Sequence, residues 1–262
     1  WDVTSEGGLP TTTDALVPKF ENGKFSFTLE MTIPAGLDAG TSQGFTMTVN
    51  SEADNDVTSH SDFAATVEQC YGVTLAIDKS SDMANPGSVS TFVVTATNNG
   101  NGEDTIDFQT MGAAEWSPAL SESASTVASG ASAQIVFTLT VPSDASANAQ
   151  SGSAMVHAYS EACGEDKMGC DYEAHVSVSV RANQVYDITA GYYTNETDVV
   201  KDSASVQEGM AVQMKFTLTN NGNGNDQVTL SLVDAPSWVM LEENNDISLL
   251  GPDQTATLTI VA

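Results

Sequence analysis

The chain is expected to be all-β, built from tandem Ig-like antiparallel β-sandwich domains, and three features of the sequence carry that expectation. Runs such as VSTFVVTAT, DTIDFQ, AQIVFTLTV, SAMVHAY and YEAHVSVSV alternate apolar and polar residues with period two, which places every second side chain on one face of a strand. Gly, Asn, Asp, Pro and Ser separate these runs, and no segment carries an apolar stripe of helical period. The third feature is internal repetition: NNGNG occurs at 98–102 and again at 220–224.

Superposing the two pentapeptides takes a shift of 122 residues. The same shift lays Gly87 on Gly209, Phe92 on Met214, Val94 on Phe216, Ile106 on Val228, Phe108 on Leu230 and Trp116 on Trp238. With a one-residue adjustment, Ile135, Phe137 and Leu139 fall on Ala256, Leu258 and Ile260. A shift of 108 brings Leu29, Met31, Ile33 and Pro34 onto Phe137, Leu139, Val141 and Pro142, and Gly44 and Met47 onto Gly152 and Met155. The expected organisation is the second half of an Ig-like module at 1–69, a complete module at 70–182 and the first two thirds of another at 183–262. Seven or so short strands in a module of this length is the pattern of an Ig-like sandwich. The two partial modules would leave sheet edges and apolar faces open, to be completed by flanking sequence or by strands of a neighbouring subunit.

Alternation assigns faces. Ile135, Phe137, Leu139 and Val141 should point inward, as should Tyr172, Ala174, Val176, Val178 and Val180. Trp116 and Trp238, beside Pro118 and Pro236, are expected to cap the open end of the core. His157 and His175 fall on the outward faces of adjacent strands. Two imidazoles without a third ligand make a poor zinc site, so exposed surface histidines are expected.

NNGNG resembles a phosphate loop only in composition. That function needs further glycines, a Lys and a following helix whose amides meet the phosphate, and neither copy has the Lys or the helix. The pairs Asn99-Gly100 and Asn101-Gly102 read instead as hairpin-turn residues tolerant of positive φ.

Lys and Arg number 7 against 35 Asp and Glu, a formal net charge of −28. Such a surface repels nucleic acid and anionic lipid, whose phosphates require clustered cations. No apolar run reaches the roughly 18 to 20 residues of a membrane-spanning helix. The start at Trp1, with neither an initiator Met nor a signal-peptide pattern, reads as a fragment of a longer precursor. Acid-rich loops are the places where a hard cation such as calcium would bind: Asp54, Asp56 and Asp62; Glu165, Asp166 and Asp171; and Glu103, Asp104 and Asp107. None has EF-hand spacing, and a solvated loop is the default. No other cofactor is expected.

Cys163 and Cys170 bracket a polar stretch between two strand-like runs, a spacing that suits a disulfide at the base of a hairpin loop, with two free thiols as the alternative. Cys70 is left odd. Asn195 heads the sequon Asn-Glu-Thr in a polar loop, an acceptor for N-glycosylation where the source glycosylates its surface proteins. There is no G-x-S-x-G elbow, no H-E-x-x-H and no Cys with a His base in a recognisable pattern.

The succession VTATNNGNGEDTIDF, then Trp116, then ASAQIVFTLTVPSDASANAQSGSAMVHAYS resembles the tandem Ig-like repeats of archaeal and bacterial surface and S-layer-associated proteins, of the cell-adhesion-related type. That resemblance covers nearly the whole chain and implies a non-enzymatic extracellular structural or adhesive protein, part of a surface layer, stalk or filament. Its implied partners are other copies of itself or neighbouring modules, with glycans or cell-surface proteins in an adhesive role. The alternative is an accessory carbohydrate-binding or spacer module of a secreted carbohydrate-active enzyme, which would display a row of exposed aromatics.

Overall fold

The computed structural model describes residues 1–5, 26–160, 162–163, 172–192, 203, 205, 207–241 and 246–262. Within them the chain is all-β, interrupted by a 3-10 turn at Ala114–Trp116. It opens with β1 (Asp2–Ser5) paired antiparallel to β2 (Leu29–Thr32), followed by a long hairpin of β3 (Ser42–Asn50) and β4 (Thr58–Thr66). Phe45 and Phe63 face each other across that hairpin with rings stacked at 5.3 Å. They border an open apolar cleft of about 620 Å³ together with Leu29, Met31 and Met47.

The central unit runs through β5 (Val73–Ile77), β6 (Ser81–Ala84), β7 (Val89–Asn98), β8 (Asp104–Met111), β9 (Ala119–Leu120), β10 (Ala124–Val127), β11 (Ser132–Thr140), β12 (Ala154–Ser160) and β13 (Glu173–Ala182). One sheet has the order β5-β7-β11-β9 and the other β10-β8-β12-β13-β6. The antiparallel triads β5-β7-β11 and β8-β12-β13 are the two halves of an Ig-like sandwich. The chain between β8 and β11 supplies one short strand to each sheet. At the far edge β6 runs parallel to β13.

Period-two patterning builds the core between the sheets. Phe92, Val94 and Ala96 of β7 and Ile135, Phe137 and Leu139 of β11 meet Ile106, Phe108, Val156, Val178 and Val180 from the opposite sheet, all buried. Phe92 and Phe137 lie directly opposite in register, rings 6.2 Å apart and tilted. Val141 joins them as expected, while Tyr172, Ala174 and Val176, nearer the open end of β13, are half-buried.

The third unit comprises β14 (Ile188–Tyr192), β15 (Gln213–Asn220), β16 (Asp226–Thr229), β17 (Met240–Leu241), β18 (Asp246–Leu250) and β19 (Thr255–Val261), in sheets β14-β15-β19-β17 and β16-β18. Its register corrects the alignment read from sequence. Val94 pairs with Ile135 and Phe92 with Phe137, whereas Phe216 pairs with Leu258 and Met214 with Ile260. Ile135 therefore corresponds to Leu258, and Phe137 to Ile260. Trp238 also departs from expectation. Trp116 is 5% exposed, but Trp238 is 65% exposed, because β16 pairs only with β18 and no described strand covers the face that β12 and β13 cover in the central unit.

Beside β6, Lys79 Nζ lies 2.7 Å from Asp82 Oδ2 and sits over the Phe92 ring at 5.2 Å from its centroid. The Lys79 hydrogen bond, aided by the Met83 amide and the Lys79 charge, holds the Asp82 carboxyl below its usual 3.8 against the opposing effect of burial. A depressed folded-state pKa adds stability above the unfolded value, and that stability is lost as pH falls through the folded value. Urea midpoints of wild type and Asp82→Asn should therefore differ by a constant amount above about pH 5 and converge in acid below about pH 3. An offset that persists unchanged in acid would assign the effect to packing.

Candidate functional site

The two NNGNG segments are not hairpin turns. β7 and β8 belong to opposite sheets, so residues 99–103 carry the chain across the sandwich, as the equivalent residues do between β15 and β16. None of Gly100, Gly102, Gly222 and Gly224 adopts a left-handed backbone. These glycines serve close approach instead: a Cβ on Gly100 would lie 2.4 Å from the Cys70 carbonyl oxygen, and one on Gly222 would lie 2.4 Å from that of Val185.

The first asparagine of each segment folds it. Asn98 is fully buried, and its Nδ2 donates to the carbonyls of Gly102 (2.9 Å) and Val127 (2.8 Å) while its Oδ1 accepts the Gly100 amide (2.8 Å). Asn220 repeats this with Gly224, Leu250 and Gly222 at 2.9, 2.8 and 2.8 Å. The second asparagine ties the segment to its own leading strand, Asn99 Nδ2 donating to Thr74 Oγ1 and Asn221 Nδ2 to Thr189 Oγ1.

The third asparagine reaches out of the sandwich and grips what precedes it. Asn101 Nδ2 donates to the carbonyls of Glu68 (3.1 Å) and Leu37 (3.3 Å), and its Oδ1 accepts the Cys70 amide at 2.7 Å. Its carbonyl accepts the Ala39 amide at 2.8 Å, and its own amide donates to the Cys70 carbonyl at 3.2 Å. Leu37 and Ala39 lie between β2 and β3, and residues 68–70 lie between β4 and β5, so one residue binds both a loop of the preceding unit and the linker. At the second junction Asn223 Nδ2 donates to Asn183 (2.9 Å) and Ala145 (3.0 Å), and Oδ1 accepts the Val185 amide at 2.7 Å. The Ala147 amide donates to the Asn223 carbonyl at 2.8 Å. Gln69 and Gln184 complete the pair, donating to the carbonyls of Glu103 (2.8 Å) and Asn225 (2.7 Å). Each clasp thus has several hydrogen bonds worth about 1 kcal/mol apiece, clamped at sites that only glycine fits.

Sequence reasoning found the asparagines but not their partners. Leu37 and Ala39 map to Ala145 and Ala147 by a shift of 108, and Gln69 and Cys70 map to Gln184 and Val185 by 115, while the pentapeptide moves by 122. A single superposition hides the match. The repeated Gln at 69 and 184 was the available signal.

The other candidates stay apart. Cys163 is buried, whereas Cys170, Glu165, Asp166, Asp171 and Asn195 lie outside the described residues. Cys70 is exposed, its main chain held in the first clasp. His157 and His175 are direct cross-strand partners. His157 Nε2 lies 3.3 Å from Glu173 Oε2, and its ring stacks on Tyr159 at 5.4 Å. Asp54 Oδ1 caps its own loop by accepting the Asp56 amide, and Asp62 accepts the Thr46 hydroxyl. Among the described residues no three His, Cys, Asp or Glu side chains converge on a point that holds a metal ion as they stand.

No family model matches the chain, and no curated protein matches it. Solved structures align with it at low similarity. A protein of unknown function from Porphyromonas gingivalis W83 is 11% identical over 72% of this chain and 82% of that one, with a TM-score of 0.30. The E. coli chaperone DraB is 9% identical over 71% and 84%, with a TM-score of 0.30. The class 5 fimbriae chaperone CfaA is 11% identical over 70% and 84%, with a TM-score of 0.29. Nothing about activity or partner follows from likeness at this level.

Proposed function

We propose that the chain is a non-enzymatic, extracellular structural or adhesive protein in which Ig-like modules, divided near residues 69 and 182, are joined at fixed angles into an array of the surface-layer, stalk or filament kind. The observation that carries this reading is the clasp, made twice by equivalent residues. Modules joined by plain linkers reorient freely by default, and only a specific interface removes that freedom. Here the interface is polar, repeated and directed from each module to the one before it. The strongly acidic surface suits an exposed, solvated protein and disfavours nucleic acid or anionic lipid as a partner. Further copies or neighbouring modules are the partners that the open faces of the two outer units fit.

Residual dipolar couplings on the whole chain test this. Amides of residues 73–182 and those of the third unit should fit one alignment tensor. Two tensors of different magnitude would show independent tumbling and would overturn the rigid array.

The alternative, an accessory carbohydrate-binding module, draws on Tyr186 and Trp238, which are 66% and 65% exposed. They form no row with other aromatics on a common strand, and a glycan array with one saturable sugar would be needed to favour it.

A further inference from the structure

Beside the first clasp lies an open cleft of about 500 Å³ whose lining includes Gln69, Tyr71, Glu103, Asp104 and Asp107 and no Lys or Arg. Asp104 is 5% exposed. Its Oδ1 accepts the Ser160 hydroxyl at 3.0 Å, but its enclosed Oδ2 has no hydrogen-bond partner. A buried carboxylate oxygen left unpaired is costly, and native structures leave few polar groups in that condition without an ion, a water or a functional reason. In a chain of net charge −28, with Glu103 exposed and Asp107 half-buried on the same cleft, a cation answers that need best.

We propose that this cleft binds one calcium ion, with Asp104 as the fixed ligand and Glu103 and Asp107 turning in to complete it. Calcium suits an all-oxygen, open and adaptable donor set because it takes six to eight oxygens, waters included, in flexible geometry. The side chains do not converge before the ion arrives, which sets the affinity in the weak range of extracellular modules. The third unit supplies an internal control. Asp226 stands where Asp104 does, but Asn225 and Thr229 replace Glu103 and Asp107, so that junction should not bind. The site does not depend on the array reading, since an ion can bind here whether or not the modules are rigidly joined.

Calorimetric titration of the whole chain with calcium chloride, at ionic strength held constant with sodium chloride, tests the proposal. One ion per chain should bind with a dissociation constant of about 0.1–1 mM. Asp104→Asn should abolish the saturable heat. Asp107→Asn, on the cleft surface, should weaken binding at least about fivefold while leaving the calcium-free melting temperature unchanged, which keeps the test valid if the buried variant folds poorly. The proposal fails if wild type gives no saturable heat, if Asp107→Asn binds as wild type does, or if sodium chloride at equal ionic strength reproduces the whole effect.

Discussion

Asn98→Ala is expected to destabilise the central sandwich by about 3–5 kcal/mol, because it removes three hydrogen bonds and strands their backbone partners. The carbonyls of Gly102 and Val127 and the amide of Gly100 all depend on this one side chain. Exchanging a side chain for water is inexpensive at a surface, but Asn98 is fully buried, so its partners would keep most of their desolvation penalty. Thermal unfolding should show it as a fall of roughly 15–30 °C, given about 4–8 °C per kcal/mol for a domain of this size. Asn98→Asp should be no better, since it retains the acceptor but loses both donors and buries a charge. A loss under about 1 kcal/mol would mean that water reaches those carbonyls and that the amide is incidental.

Gly100→Ala should separate the units while leaving the central core intact. The added methyl would stand 2.4 Å from the Cys70 carbonyl oxygen and 3.3 Å from the Tyr71 Cα. Both are backbone atoms, which cannot rotate aside as a side chain would. The segment must shift away from the linker, taking with it the Asn101 bonds to Cys70, Glu68, Leu37 and Ala39. The expected cost is about 2–4 kcal/mol at the junction, the sum of several hydrogen bonds less what water restores. Proteolysis within residues 67–72 should accelerate markedly, and the first hairpin should cease to share an alignment tensor with the central unit. Gly87→Ala is the matched control: it imposes strain at φ 78° in an open turn with nothing within 4 Å, so it should lower stability without altering the junction. Equal protease sensitivity in the two variants would dissociate Gly100 from the clasp.

Much of the fold was legible because burial follows alternation. Ile135, Phe137, Leu139 and Val141 occupy the face that period two assigns them, and so do His157 and His175. The same periodicity concealed an error of register. Aligning Ile135 with Ala256 instead of Leu258 slips the strand by two residues, which returns every side chain to the same face, so the apolar pattern cannot distinguish the two. Pairing with β15 decides it. The role of NNGNG was obscured for a different reason. Asn-Gly favours turns through local conformational freedom, but these glycines are small because another backbone lies against them, and that neighbour sits some thirty residues earlier in the chain. Trp238 could not be read from its match to Trp116, because burial is a property of what covers a residue.

The third asparagine attaches to its predecessor at two separate places, the loop at Leu37–Ala39 and the linker at Glu68–Cys70. A single tether leaves torsion free; two that are not collinear fix both bend and twist. Since Asn223 repeats the arrangement at Ala145–Ala147 and Asn183–Val185, the rotation and rise between successive units are the same screw operation applied twice. An array continued by this rule would wind as a superhelix of constant pitch, its geometry written in one side-chain amide per repeat.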